Sequence, residues 1–351
     1  MQKRIHGKIT LQDIADRLHL SRTTISLALR DHSRISKQTK QQVHRIARRL
    51  GYQPDQVARA LVTGHSNLIA VVAPDTGDHY YAEVFRGIEE AAHIAGYHVL
   101  LANTSYEPLE EEARIRDLLH LKIAGIIAAP AFADEKAALS PFWRNLKRNK
   151  FPLVLVNREL DPPPFHQVTI DNAGGIRIAM EQLAKLGHRR VAYITGMPEV
   201  IPIQQRFQAF RRLRPKFGFD LAPDLIEKSE HSLRGGYESC ARLWDRLARK
   251  PTAILCFSDA PSIGVMRFLG ERNIQVPEQV SVLGFDGTDT SEFSRISLST
   301  VGTPMYEMGK QAFATLEEAV ANPSKPIRTI VLPVNLILRE SVASPNLRPA
   351  S

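Results

Sequence analysis

Two cysteines, Cys240 and Cys256, are all that the 351 residues contain, so a disulfide scaffold is excluded. Neither has a second cysteine or paired histidine nearby, so both read as buried, reduced thiols, and no metal is expected. Long hydrophobic runs are missing too. Segments such as 68–74 and 124–133 contain proline or stop well short of the roughly 20 residues that a spanning helix needs. The start, MQKRIHGKIT, has no apolar stretch or small-residue cleavage site behind its basic residues, so export is not expected and a cytoplasmic location is. The sequence also lacks GxxxxGK[ST], a GxGxxG opening a helix, HExxH and GxSxG. An enzyme is therefore not expected, nor is a cofactor.

What is present is charge, unevenly placed. Residues 1–66 hold 13 Lys and Arg against 4 Asp and Glu, a net of +9, while residues 67–351 hold 33 of each sign. A neutral body with a small basic head suits a chain of which one part must meet a polyanion and the rest must not. Membrane binding would call for Trp or Phe on an amphipathic basic helix, and the head has neither. Double-stranded DNA is the expected partner, and no membrane is.

Three short helical patterns follow one another in the head. Thr10 precedes Leu11, Ile14, Ala15 and Leu18 at helical spacing, and Thr10 with Asp13 has the shape of a capping box. A break at His19-Leu20-Ser21 leads to Ile25, Ala28 and Leu29 on one face, with Ser21 as N-cap. The third pattern, Val43, Ile46, Ala47 and Leu50, stops at Gly51 and carries Arg45, Arg48 and Arg49. This is a tight helix-turn-helix closed by a third helix; a plain three-helix bundle would show the same spacing. In the first reading the second helix enters the major groove. Arg22 and Thr23 are its first exposed positions, with Leu27 one turn on; arginine can pair with guanine, and leucine can touch a thymine methyl. Thr10, Ser21, Thr24, Ser26, Ser36 and Thr39 are hydroxyls suited to phosphates as a set, although any one alone is more often an N-cap or a solvated surface residue.

Leu11 to Arg30, LQDIADRLHLSRTTISLALR, followed by RISKQTKQQVHRIARRLGYQPDQVARAL at 34–61, resembles the DNA-binding head and hinge of the LacI/GalR family of bacterial transcription regulators. The similarity continues through VVAPD, TIDNAGG, LGHRRVAYITG and VSVLGFD to about residue 342. The family usually has Arg where Leu27 stands and Asn where Arg30 stands, so no operator sequence can be borrowed from other members. Arg30 and Arg34 join the DNA-facing set on this resemblance. Pro54 and Asp55 open a short helix at 56–61, too short to stand alone, since isolated helices below about 12 residues are marginal. The resemblance implies that it pairs with its mate in a homodimer and lies in the minor groove, placing Val57, Arg59 and Leu61 there, with Leu61 as the wedge. A plain linker is the alternative.

From Leu68 the pattern alternates strand and helix. Strands are expected at 68–73, 98–102, 125–128 and 153–157, then in a second series at 168–170, 190–194, 225–229, 253–256 and 281–284. The fold class is α/β: a small all-α helix-turn-helix head followed by two doubly wound parallel-sheet lobes, as in periplasmic sugar-binding proteins. The expected domains are a head at 1–53 and a hinge at 54–66. A first lobe takes 67–162 plus about 290–325, a second 163–289 plus about 326–342, and a tail 343–351. Ligands in such sheets sit at the carboxyl ends of strands, here between the lobes. That selects Asp75, Tyr80 and Tyr81 after the first strand, Asn157 after the fourth, and Arg206, His231, Ser258 and Asp286 from the second series. Arg206 and Asp286 match the family positions that hold effector; Asn157, His231 and Ser258 match in position but depart in residue type. The sequence thus reads as a dimeric DNA-binding regulator, a repressor responsive to a small polar ligand such as a sugar or related metabolite. A sugar-binding protein without a DNA role is the alternative, and it explains only the body.

Overall fold

The computed structural model describes residues 9–52, 66–130 and 140–345, and the chain divides into two compact units at residue 66. The head contains α1 (Leu11–Leu18), α2 (Arg22–Leu29) and α3 (Lys37–Leu50). Ile14, Ala15, Ile25, Ala28, Val43 and Ala47 form its core, one pair from each helix. Such a small core needs each helix end fixed locally. Thr10 and Asp13 make the reciprocal capping box, Ser21 and Ser36 cap α2 and α3, and Gly51 closes α3 at φ 69°. The hinge residues Val57, Arg59 and Leu61 lie outside the described residues.

The larger unit has two six-stranded sheets. In the first the order is β2 (His98–Asn103), β1 (Leu68–Ala73), β3 (Gly125–Ala128), β4 (Leu153–Val156), β5 (His166–Ile170), β11 (Thr329–Leu332), all parallel. In the second it is β7 (Ile226–Lys228), β6 (Val191–Thr195), β8 (Ala253–Cys256), β9 (Ser281–Asp286), β10 (Ser299–Gly302), β12 (Asn335–Ile337), with only β12 antiparallel. The inner strands LVLV and AILC are fully buried, the continuous apolar pattern of parallel strands covered on both faces.

Lobe membership differs from the expected boundaries. The strand at 166–170 pairs with β4, Val154 opposite His166, and so belongs to the first sheet instead of opening the second series. Ser299–Gly302, not expected as a strand, joins the second sheet although 290–325 was assigned to the first lobe. Its sequence, STVG, carries little apolar signal, yet it is buried throughout. The chain therefore crosses between lobes three times, after β5, after β10 and between β11 and β12. Helix Pro141–Arg148 precedes β4.

Both lobes bring one helix pair into backbone contact through glycine. In the first, a Cβ on Gly87 of helix His79–Ile94 would lie 2.1 Å from the Tyr306 carbonyl, and one on Gly309 of helix Met305–Ala321 2.1 Å from the Val84 carbonyl. In the second, Gly236 of helix Leu233–Arg246 and Gly264 of helix Asp259–Glu271 each leave 2.0 Å to the carbonyls of Pro261 and Leu233. No side chain fits at these four positions without moving a backbone.

Candidate nucleic-acid interface and ligand cleft

In the head, Arg22 and Thr23 are exposed on the first turn of α2, where side chains can reach outward. Leu27 is half-buried, against the expectation of full exposure, because it lies next to Ala28 on a helix whose inner face packs on α1 and α3. Five of the six hydroxyls chosen for phosphates have structural partners at helix starts. Thr10 closes its capping box, the Ser21 and Thr24 hydroxyls are 2.8 Å apart, and so are those of Ser36 and Thr39. Arg30 donates to the Ser26 hydroxyl at 2.6 Å, folding along its own helix. Arg34 is exposed.

The cleft lies at the carboxyl ends of the strands in both sheets. It is lined by Tyr80, Tyr81, Asn157, Arg206, His231, Ser258 and Asp286, seven of the eight residues selected from strand ends. Asp75 is the exception: it is exposed, and its Oδ1 accepts from the Gly77 amide at 2.8 Å. Three residues on, Asp78 takes its place, capping helix His79–Ile94 through a 2.9 Å bond from the Tyr80 amide. Tyr106, Phe257 and the apolar edge of Val200, Pro202 and Ile203 complete the lining and were not anticipated.

Arg206 organises the second-lobe wall. From helix Ile201–Leu213 its Nε donates to Asn172 Oδ1 at 2.8 Å, and one terminal nitrogen donates to the Phe257 carbonyl at 2.7 Å and to Asp286 Oδ1 at 3.3 Å. The guanidinium carbon sits 3.6 Å from the Phe285 ring centroid, a cation–π contact in a dry setting. Ser258 donates to Asp286 Oδ2 at 2.6 Å, and His231 Nε2 lies 2.8 Å from the same hydroxyl. Asp286 is held at φ 125°, a conformation L-residues rarely adopt, so the loop after it must be fastened. Asp259 does this, accepting from the Gly287 and Thr288 amides at 2.9 and 2.8 Å and from the Thr300 hydroxyl at 2.6 Å. Burial pushes its carboxyl up to about 7, with the nearby Asp286 charge adding to the effect.

The first-lobe wall is less complete. Asp78 Oδ2 and Asn157 Oδ1 are buried with no hydrogen-bond partner among the described residues. Asn157 adopts a left-handed φ of 51°, which asparagine tolerates. Tyr80 meets Tyr81 edge-on at 5.3 Å, and burial raises the phenol of Tyr80 well above its ordinary value. The walls meet where His231 Nδ1 lies 3.4 Å from Asp78 Oδ2. Burial raises the Asp78 carboxyl, opposed by His231 and reinforced by the charges of Asp286 and Asp75.

No described helix is long and apolar enough to cross a membrane, and no group of described side chains has metal-ligand geometry. The profile of bacterial regulatory proteins of the lacI family matches residues 10–55, and that of the periplasmic binding protein-like domain matches residues 180–342. The transcriptional regulator DegA of Bacillus subtilis is 32% identical over 341 residues, which cover 97% of this chain and 99% of DegA. The transcriptional repressor CytR of Escherichia coli is 29% identical, with 95% and 96% covered. A Lac repressor dimer solved with operator and an anti-inducer superposes with a TM-score of 0.85 at 22% identity, covering 96% of this chain and 99% of that one. The chain belongs to the lacI family of bacterial regulatory proteins and is a ligand-responsive DNA-binding transcriptional regulator, not an enzyme.

Proposed function

We propose that the chain is a cytoplasmic repressor that binds a pseudopalindromic operator as a homodimer and changes its affinity when a small polar ligand closes the cleft. The observation that carries this reading is that all the excess positive charge lies in a head whose second helix presents Arg22 and Thr23 outward from a capped N-terminus. A neutral effector unit then leaves DNA contact to the head and hinge. A ligand shifts DNA affinity only by as much as it binds one conformer better, so an effector must touch both walls. Tyr80, Tyr81 and Asn157 on one side and Arg206, His231, Ser258 and Asp286 on the other allow this. Aromatic faces and hydroxyl-binding carboxylates suit a sugar or related metabolite.

Selection from random duplex DNA by the full chain should enrich two inverted half-sites. Arg22→Ala should then cost about 1–3 kcal/mol on the enriched site and relax selection at one base pair per half-site. Leu61→Ala should weaken the enriched site more than random DNA, as loss of a minor-groove wedge requires. Failure to enrich any sequence would sink the reading.

A further inference from the structure

Ser258 and the Nε and Nη1 groups of Arg206 donate inside the protein, while two buried acceptors of the cleft, Asp78 Oδ2 and Asn157 Oδ1, have no hydrogen-bond partner among the described residues. Ser258 has one hydroxyl proton, and the 2.6 Å bond to Asp286 Oδ2 uses it. His231 Nε2, 2.8 Å from that same oxygen, must therefore be the donor to it. In the neutral ring this leaves Nδ1 as a bare lone pair, and Nδ1 faces Asp78 Oδ2 at 3.4 Å. Asp78 Oδ1 already accepts from the Tyr80 amide, and Oδ2 has no hydrogen-bond partner. Asn157 Oδ1 is a further buried acceptor of the same pocket.

Charge points the same way. Asp286 is matched by Arg206, which also donates to Asn172 and to the Phe257 carbonyl. Among the described residues Asp78 has only the imidazole opposite it, and Asp75 and Asp286 both add negative potential at it. Arg158, the other buried guanidinium near this wall, is turned to the carbonyls of Pro130 and Asn157. With the imidazole neutral, Asp78 Oδ2 at the seam meets no cation and no donor among the described residues, and aromatic rings of Tyr80, Tyr81, Tyr106 and Phe257 line the cleft.

We propose that the effector carries a protonated amine among its hydroxyls, donating from the cleft to both Asp78 Oδ2 and His231 Nδ1, and that phosphorylated or carboxylate-bearing ligands are rejected. This rests on the cleft being the effector site, and it names the class of molecule the site takes. The amine supplies the donor both lobes require, so the group that gives specificity also draws the walls together. An anion placed there would meet Asp78 with no unpaired cation among the described lining residues to offset it.

Thermal-shift and calorimetric titrations of the full chain should compare glucosamine, at a pH where its amine is protonated, with glucose and glucose 6-phosphate. Glucosamine should bind at least about tenfold tighter than glucose, about 1.4 kcal/mol, and glucose 6-phosphate weaker than either. Asp78→Asn, whose amide oxygen can still cap the helix, should bring glucosamine and glucose within about twofold of each other. Equal binding of glucosamine and glucose by the wild type, tighter binding of glucose 6-phosphate, or no glucosamine binding at about 100 mM overturns the proposal. Sugar binding that survives Asp78→Asn but is lost in Arg206→Lys would refute the amine and keep the cleft. Glucosamine binding untouched by either substitution would count against both.

Discussion

On the second-lobe wall Arg206, Asn172, Asp286 and Ser258 are linked by hydrogen bonds, whereas on the first-lobe wall Asp78 and Asn157 keep buried oxygens without a hydrogen-bond partner among the described residues. Sheet architecture does not cause the difference, since both lobes follow the same strand order and share the glycine contact between helices. It comes from the side chains at the strand ends. One wall is a preorganised platform, and the other is completed by whatever arrives between them.

The sharpest way to break this comparison is to truncate one residue on each wall. Arg206→Ala leaves Asp286 buried without its guanidinium, and removing one partner of such a pair costs about 3–5 kcal/mol. Asp78→Asn removes no hydrogen bond at Oδ2 and should stay within about 1 kcal/mol. Urea unfolding of both variants measures the contrast; equal losses would show that the first wall is as tightly tied as the second. Next in size, Gly87→Ala and Gly264→Ala should each cost about 1–3 kcal/mol by forcing packed helices apart. Their melting temperatures should fall by similar amounts, and a loss confined to one variant would mean the lobes do not share this device.

The smallest effect is pH dependence at the seam. Asp78 has a raised carboxyl in the folded chain, so folding favours its protonated form. Its contribution is fully present below the ordinary value of 3.8 and is lost as pH rises through the elevated one. Asp78→Asn should flatten that part of the stability profile in urea midpoints taken across the acid range. A profile unchanged by the substitution would remove Asp78 from the account of the seam.

Local signals were the legible ones. Thr10 with Asp13, Ser21, Ser36 and Gly51 set the head helices through neighbours three or four residues away, and the sequence shows those neighbours directly. Lobe membership depends on pairing between distant strands, so β5 was placed in the wrong series, and STVG gave no apolar run to announce β10. In the cleft, Arg206 and Asp286 could be found from strand ends and from the family resemblance. Strand-end position points to Asp75 and misses Asp78: both follow β1, and only the start of the next helix decides which carboxylate turns inward. Tyr106 was not visible at all: its place depends on left-handed backbone at Ser105 and Tyr106, where neither residue type signals it.

The account depends most on the head being the part that holds DNA. The direct measurement is the affinity of the full chain for its enriched DNA site at 50 and 200 mM salt, beside a chain beginning at Asn67. Affinity of the full chain should fall by about 10³ or more if the dimer neutralises roughly 6–10 phosphates, and the shortened chain should not bind. A shortened chain that still binds, or a full chain indifferent to salt, would contradict it.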